Sequence, residues 1–170
     1  MKQDLVLAGV GGQGVLSVAA ILAEAARRHG LVVRQGEVHG MSQRGGAAMV
    51  LGAEPVEALR YLDYLAPGGR LVTAADPYLN VPDYPPIEAV LAAVRAVPGA
   101  VLVEAGELAR RAGSGRTANV VMVGAASVFL PIPAGVIEAC MVDGFAAKGE
   151  RVVEANRRAF ALGREAVAGS

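Results

Sequence analysis

The stretch DLVLAGVGGQGVLSVAAILAEAARR, residues 4–28, limits the possible folds more than any other part of the chain. Leu5, Val6, Leu7 and Ala8 form an apolar run of buried-strand length that stops at Gly9. Gly9, Gly11, Gly12 and Gly14 then leave one turn almost without side chains. Beyond them Val15, Val18, Ala19, Leu22, Ala25 and Ala26 recur at the spacing of one helix face. Glu24 faces Arg27 and Arg28 at helical spacing on the opposite side, and Gly30 is placed to end the helix. Leu31, Val32 and Val33 read as a second strand. Strand, glycine turn, helix and strand make a βαβ unit with a parallel pair and a right-handed crossover.

The alternation continues. Residues 47–51 read as a strand, and Pro55 opens a short helix through Leu65, stopped by Pro67, Gly68 and Gly69. Leu71 to Ala74 is a strand, and the proline-rich DPYLNVPDYPP at 76–86 is irregular. Ile87, Val90, Leu91, Val94 and Val97 mark an amphipathic helix, and Val101 to Val103 another strand. Residues 107–111 are helical, Asn119 caps a helix reaching 129 or 130, and a last helix starts near Glu150. Its inner face is Val152, Val153, Asn156, Phe160, Gly163 and Val167, with Glu154 and Arg158 paired outside. No repeat or linker interrupts this pattern. The expectation is an α/β fold: a three-layer α/β/α domain with a mostly parallel sheet and a Rossmann-like N-terminal βαβ unit, spanning 1–170 as a single domain.

Composition narrows the function. Apolar residues make up 54% of the chain and the formal charge is zero, which suits a packed globule and no nucleic-acid partner held by bulk charge. Cys140 is the only cysteine, so an internal disulfide, a thiolate zinc site and an all-cysteine iron–sulfur cluster are excluded. Its apolar helical setting predicts a buried, inert thiol. The N-terminal apolar run is too short for a signal peptide. The uncharged stretch 117–137 is broken by Gly124, Pro131, Pro133 and Gly135, so no membrane span is expected and the cytoplasm is the default location.

Two glycine-rich segments carry the chemistry. Gly9, Gly11 and Gly14 satisfy G-x-G-x-x-G between a strand and a helix, a context suited to a phosphate-bearing ligand. The acidic residue expected after the second strand is missing, since that strand ends Arg34, Gln35, Gly36 and Glu37 comes late. The glycines could equally serve a tight turn and close packing. The second segment is HGMSQRGG, residues 39–46. Ser42, Gln43 and Arg44 place a hydroxyl, an amide and a planar cation beside Gly45 and Gly46. With the two strands adjacent and parallel, both loops leave the same edge of the sheet and face each other. Arg44 could instead form a surface ion pair, and His39 a hydrogen-bonded loop. Ser42 lacks the nucleophile-elbow spacing, no P-loop occurs, and Asp76, Asp83 and Glu88 form no metal cluster.

Together, GVGGQGV and GMSQRGG resemble the gamma-type domain of the 2-oxoacid:ferredoxin oxidoreductases. The SQRGG form is most similar to the beta subunits of indolepyruvate ferredoxin oxidoreductases. EPVEALRYLDYL at 54–65, NVVMVGAASVFL at 119–130 and VVEANRRAFALGREA at 152–166 extend the likeness over nearly the whole chain. The resemblance implies a complex that oxidatively decarboxylates an aryl 2-oxoacid with coenzyme A and reduces ferredoxin. Thiamine diphosphate and iron–sulfur clusters would belong to a large alpha subunit. This chain would contribute no catalytic residue and be inactive alone. Gly11, Gly12, Gln13, Gly14, Ser42, Gln43, Arg44 and Gly45 would lie on the coenzyme A side of the site or seal a subunit interface. A free-standing Rossmann-like dinucleotide-binding protein and a pure interaction module are the alternatives. One departure stands out: members of the family carry about twenty more residues after the second glycine motif, roughly a strand, a hairpin and the start of another strand, so the segment is either truly shortened or missing from the sequence as given.

Overall fold

The computed structural model describes residues 3–38, 43–78 and 83–168. The chain forms two compact units, each assembled from two stretches: Met1–Gln13 with Gly36–Glu104, and Gly14–Gln35 with Ala105–Ser170.

The first unit holds the sheet. Strands β1 (Asp4–Ala8), β2 (Ala47–Gly52), β3 (Leu65–Ala74) and β4 (Val101–Val103) are all parallel and lie side by side in chain order. Helix α1 (Val15–Arg28) connects the first two in sequence. Helices α2 (Pro55–Arg60) and α3 (Ile87–Arg95) follow β2 and β3. The sequence AAMVLG of β2 is buried almost throughout, as a strand covered on both faces requires. Val6, Ala47, Val50, Ala58, Tyr64, Leu71 and Val94 form one core cluster, with Leu59 and Leu62 packed half-buried against it. Fully burying one such aliphatic side chain contributes about 1.5–3 kcal/mol. Helix α2 stops five residues short of the expected Leu65, and a single 3-10 turn at Leu62–Tyr64 follows. Leu65 instead opens β3 opposite Ala47, so the sheet ladder takes a residue that helical spacing had assigned to α2.

The second unit is helical: α1, α4 (Ala105–Arg111), α5 (Ala118–Ser127), α6 (Ala134–Phe145) and α7 (Glu150–Val167). Helix α1 buries Val18, Ile21, Leu22 and Ala25. It ends as expected at Gly30, φ 82°. There the Gly30 N–H donates to the Arg27 carbonyl and the Leu31 N–H to the Ala26 carbonyl, the paired bonds of a Schellman motif. Glu24 accepts hydrogen bonds from Arg27 and Arg28, which hold its carboxyl down at about 2. Arg28 also reaches Asp143 on α6 at 2.7 Å. Cys140, on α6, is buried, and burial pushes its thiol up. Helix α5 is buried on every side from Val120 to Ser127. It starts at Ala118 after Thr117, so Asn119 lies inside the first turn rather than at the cap. Helix α7 turns Asn156, Phe160, Gly163 and Val167 inward, as expected, together with Ala155 and Ala159, while Val152 and Val153, expected on the same face, are only half-buried. Outside, Glu154 pairs with Arg158.

One expected strand is missing. Residues 31–37 form no strand, and Leu31, Val32 and Val33 are 39%, 95% and 39% exposed. The parallel neighbour of β1 is instead β2. A β-branched run becomes a strand only where a neighbouring ladder accepts it.

Candidate functional site

The site begins where β1 ends. In the first unit the Gln13 N–H donates to the Val10 carbonyl at 3.2 Å, closing a four-residue turn with Gly12 at φ 89°. A side chain there would cost roughly 1–2 kcal/mol, so glycine is needed for the backbone alone. A Cβ built on Gly11 or Gly12 would meet nothing within 4 Å. The crest of the turn is therefore open main chain, the surface a bulky anionic group can approach closely.

Gln13 shapes this crest. Its Oε1 accepts from the Val10 N–H at 2.7 Å, and its Nε2 donates to the Ala53 carbonyl at 3.4 Å. The Ala53 N–H donates in turn to the Ala8 carbonyl at 2.8 Å. The side-chain amide thus ties the glycine turn to the chain leaving β2. Next to Ala53 stands Glu54, only 1% exposed. Glu54 caps α2, accepting from the Glu57 N–H at 2.8 Å on one oxygen, with Pro55 as the first helical residue. Its other oxygen accepts from the Tyr84 hydroxyl. Burial, and then the bond to Glu54, push the Tyr84 phenol well above its usual range. Neither Glu54 nor Tyr84 was among the expected site residues. The signal was GAEP, a carboxylate between the end of an apolar run and a helix-starting proline.

Gly14 belongs to the second unit, where it precedes α1 at φ 75° with no side-chain cap. A Cβ on it would lie 2.7 Å from Asn119 Nδ2, the end of a side chain that can move aside, so the positive φ is what calls for glycine here.

The second glycine segment is elsewhere. Ser42 and His39 lie outside the described residues. Gln43, Arg44 and Gly45 form a turn leading into the start of β2, with Gly45 at φ 71° and the Gly46 N–H donating to the Gln43 carbonyl. The Gly45 N–H donates to the Asp63 carbonyl at 2.8 Å, just before β3. In a parallel sheet, a turn entering β2 and a turn leaving β1 sit at opposite ends, separated here by the length of β2, roughly 15–20 Å at ~3.3 Å per residue. The shared edge expected for the two loops is therefore not formed. The expectation placed a strand at 31–33 before the second loop, and without that strand the loop feeds the sheet from its amino end. Arg44 Nη1 lies 3.4 Å from Asp63 Oδ2, with both side chains more than two-thirds exposed. Such a pair contributes about 0–1 kcal/mol.

Known proteins place the chain. It matches the pyruvate ferredoxin/flavodoxin oxidoreductase family over residues 4–51 and 47–166. It is 36% identical over 196 aligned positions to indolepyruvate oxidoreductase subunit IorB of Thermococcus kodakarensis, covering 98% of this chain and 96% of that one. Those 196 positions exceed the 170 residues here, and residues 47–51 are claimed by both family matches, in line with a shortened segment at β2. Among solved structures, the gamma subunit of a keto/oxoacid ferredoxin oxidoreductase from Geobacter sulfurreducens superimposes with a TM-score of 0.70 at 22% identity over 99% of this chain and all of that one. The 2-oxoglutarate:ferredoxin oxidoreductase of Magnetococcus marinus, solved with 2-oxoglutarate, coenzyme A and succinyl-CoA bound, gives 0.72 at 22% identity over the whole of this chain and 32% of that one. Likeness running end to end in sequence, with a fold that agrees, means that the chain belongs to the pyruvate ferredoxin/flavodoxin oxidoreductase family.

Proposed function

We propose that the chain is the non-catalytic subunit of a cytoplasmic complex that oxidatively decarboxylates an aryl 2-oxoacid, indolepyruvate above all, transferring the acyl group to coenzyme A and electrons to ferredoxin. The observation that carries this is the 36% identity to an IorB subunit across 98% of the chain. The large alpha subunit is the partner, and the thiamine diphosphate and iron–sulfur clusters on it supply the decarboxylation and electron-transfer chemistry when bound. A cluster has no ligand set in this chain, whose one cysteine is buried on α6. No helix among the described residues is long and apolar enough to cross a membrane.

The work left to this chain is binding and orientation. Gly11 and Gly12 offer main-chain amides at the open crest to a phosphate of coenzyme A, and Gln13, whose own N–H is engaged by the Val10 carbonyl, shapes the turn that presents them. Holding the coenzyme there raises the effective concentration of its thiol at the partner's reacting centre. Gln43, Arg44 and Gly45, at the other end of the sheet, suit a subunit contact better than the same ligand. The dinucleotide-enzyme alternative is disfavoured by the family likeness, and Glu54, the acid that follows the strand next to β1, is buried with both oxygens already engaged.

The test is co-expression with a large subunit, followed by ferredoxin-reduction assays over several 2-oxoacids with coenzyme A. Activity is expected only from the assembled complex, highest with aryl substrates. Turnover by the isolated chain would sink the proposal. Tight NAD or FAD binding by the isolated chain would favour the alternative.

A further inference from the structure

Around the open glycine crest the first unit carries a brace that the open main chain alone does not need. Three connections at the carboxyl ends of β1, β2 and β3 are linked by side chains: Gln13 joins the glycine turn to Ala53, and Glu54, the next residue, takes the Tyr84 hydroxyl from the loop after β3. Glu54 is among the largest fully buried side chains, and both of its oxygens are engaged, as a buried carboxylate requires. Tyr84 is preceded by Asp83 at φ 58°, the only non-glycine residue with positive φ among the described residues. Aspartate tolerates that conformation better than most residues.

We propose that Glu54 and Tyr84 are positioning residues: they fix the β2–α2 junction to which Gln13 clamps the glycine turn, and so hold the Gly11–Gly12 crest in the shape that receives a phosphate group. This deepens the coenzyme A reading above and rests on it. Neither side chain touches the ligand in this account. Both act through Gln13 and Ala53.

The test uses the full chain with two readouts. In the isolated chain, Tyr84→Phe should speed amide hydrogen exchange across residues 10–13 by roughly five-fold, the population effect of losing one ordinary hydrogen bond, while exchange in α7 stays unchanged. In the complex with the large subunit, Tyr84→Phe should raise the KM for coenzyme A several-fold, with kcat and the KM for the 2-oxoacid held. Glu54→Gln leaves one acceptor oxygen where the carboxylate offered two, to the Glu57 N–H and the Tyr84 hydroxyl, and should move both readouts in the same direction as Tyr84→Phe. Unchanged exchange in Tyr84→Phe overturns the brace, and so does a rise in both KM values together. Gly12→Ala separates the two proposals. If it leaves the coenzyme A KM untouched, the ligand reading falls and the exchange arm alone still decides the brace. If it raises that KM while Tyr84→Phe does not, only the brace falls. Should Tyr84→Phe fail to fold, Glu54→Asp, which draws the carboxylate back by one methylene, carries the same readouts with the same expected directions.

Discussion

Two glycine-rich places in this protein use the missing side chain in opposite ways. At the crossing of α5 and α7, a Cβ on Gly124 would lie 2.2 Å from the Phe160 carbonyl oxygen, and one on Gly163 would lie 2.0 Å from that of Val121. Those glycines let two backbones touch. At the turn after β1, a Cβ on Gly11 or Gly12 meets nothing. Those glycines keep a surface clear. Glycine content therefore says little about ligand binding until one knows what a side chain would strike.

Substitution at the crossing should give the largest effect. Alanine is favoured over glycine by about 0.5–1 kcal/mol inside a helix. Against main chain at 2.0 Å the clash must win, because no flexible side chain is there to move. Gly163→Ala should lose about 3 kcal/mol or more in urea denaturation. A neutral result would mean that the helices do not cross this closely.

Gly12→Ala comes next, at about 1–2 kcal/mol, all of it from the positive φ. Gly11→Ala, its neighbour without that constraint, should change stability by under about 0.5 kcal/mol. A large loss at Gly11 would show that the crest is covered, and the contrast with the crossing would fail.

The alkaline limb gives a smaller, pH-selective signal. The Tyr84 phenol is raised in the folded chain by burial and by Glu54. Its stabilisation is complete below the ordinary tyrosine value near 10 and is lost as pH rises above it, because only the unfolded chain then sheds the proton. Thermal melts should show a Tm decline setting in near pH 10 that is shallower in Tyr84→Phe. Equal slopes in the two proteins would remove Tyr84 from the support of the crest. Smallest of all, Arg44→Ala should cost at most about 1 kcal/mol, since its partner Asp63 is as exposed as it is. Measured at low and high salt, any loss should vanish at the higher ionic strength.

Much of this was legible in the residues. The apolar run 5–8, the stripe ending at Gly30, the Glu24 cluster and the inner face of α7 follow from spacing of 2 or 3.6, and the structure repeats them. The positive φ at Gly12 and Gly14 was implied by a glycine turn between strand and helix. Three things were not legible. Leu31, Val32 and Val33 have strand-forming side chains but no strand. Gln43–Gly46 looks like a companion to the first glycine turn yet sits at the far end of the sheet. Glu54 and Tyr84 are thirty residues apart, and nothing in either neighbourhood names the other.

Local sequence fixed what depends on the chain's own geometry: helix faces, the helix end at Gly30, and the turns only glycine can make, because those energies are settled within a few residues. Its end-to-end likeness to known subunits also fixed the family. Tertiary structure decided which strand lies beside β1, which end of the sheet each loop occupies, and which buried oxygen meets which hydroxyl. Those choices depend on pairing between distant segments. Hydrogen-bond ladders and buried carboxylates have no energy to report until the partner arrives.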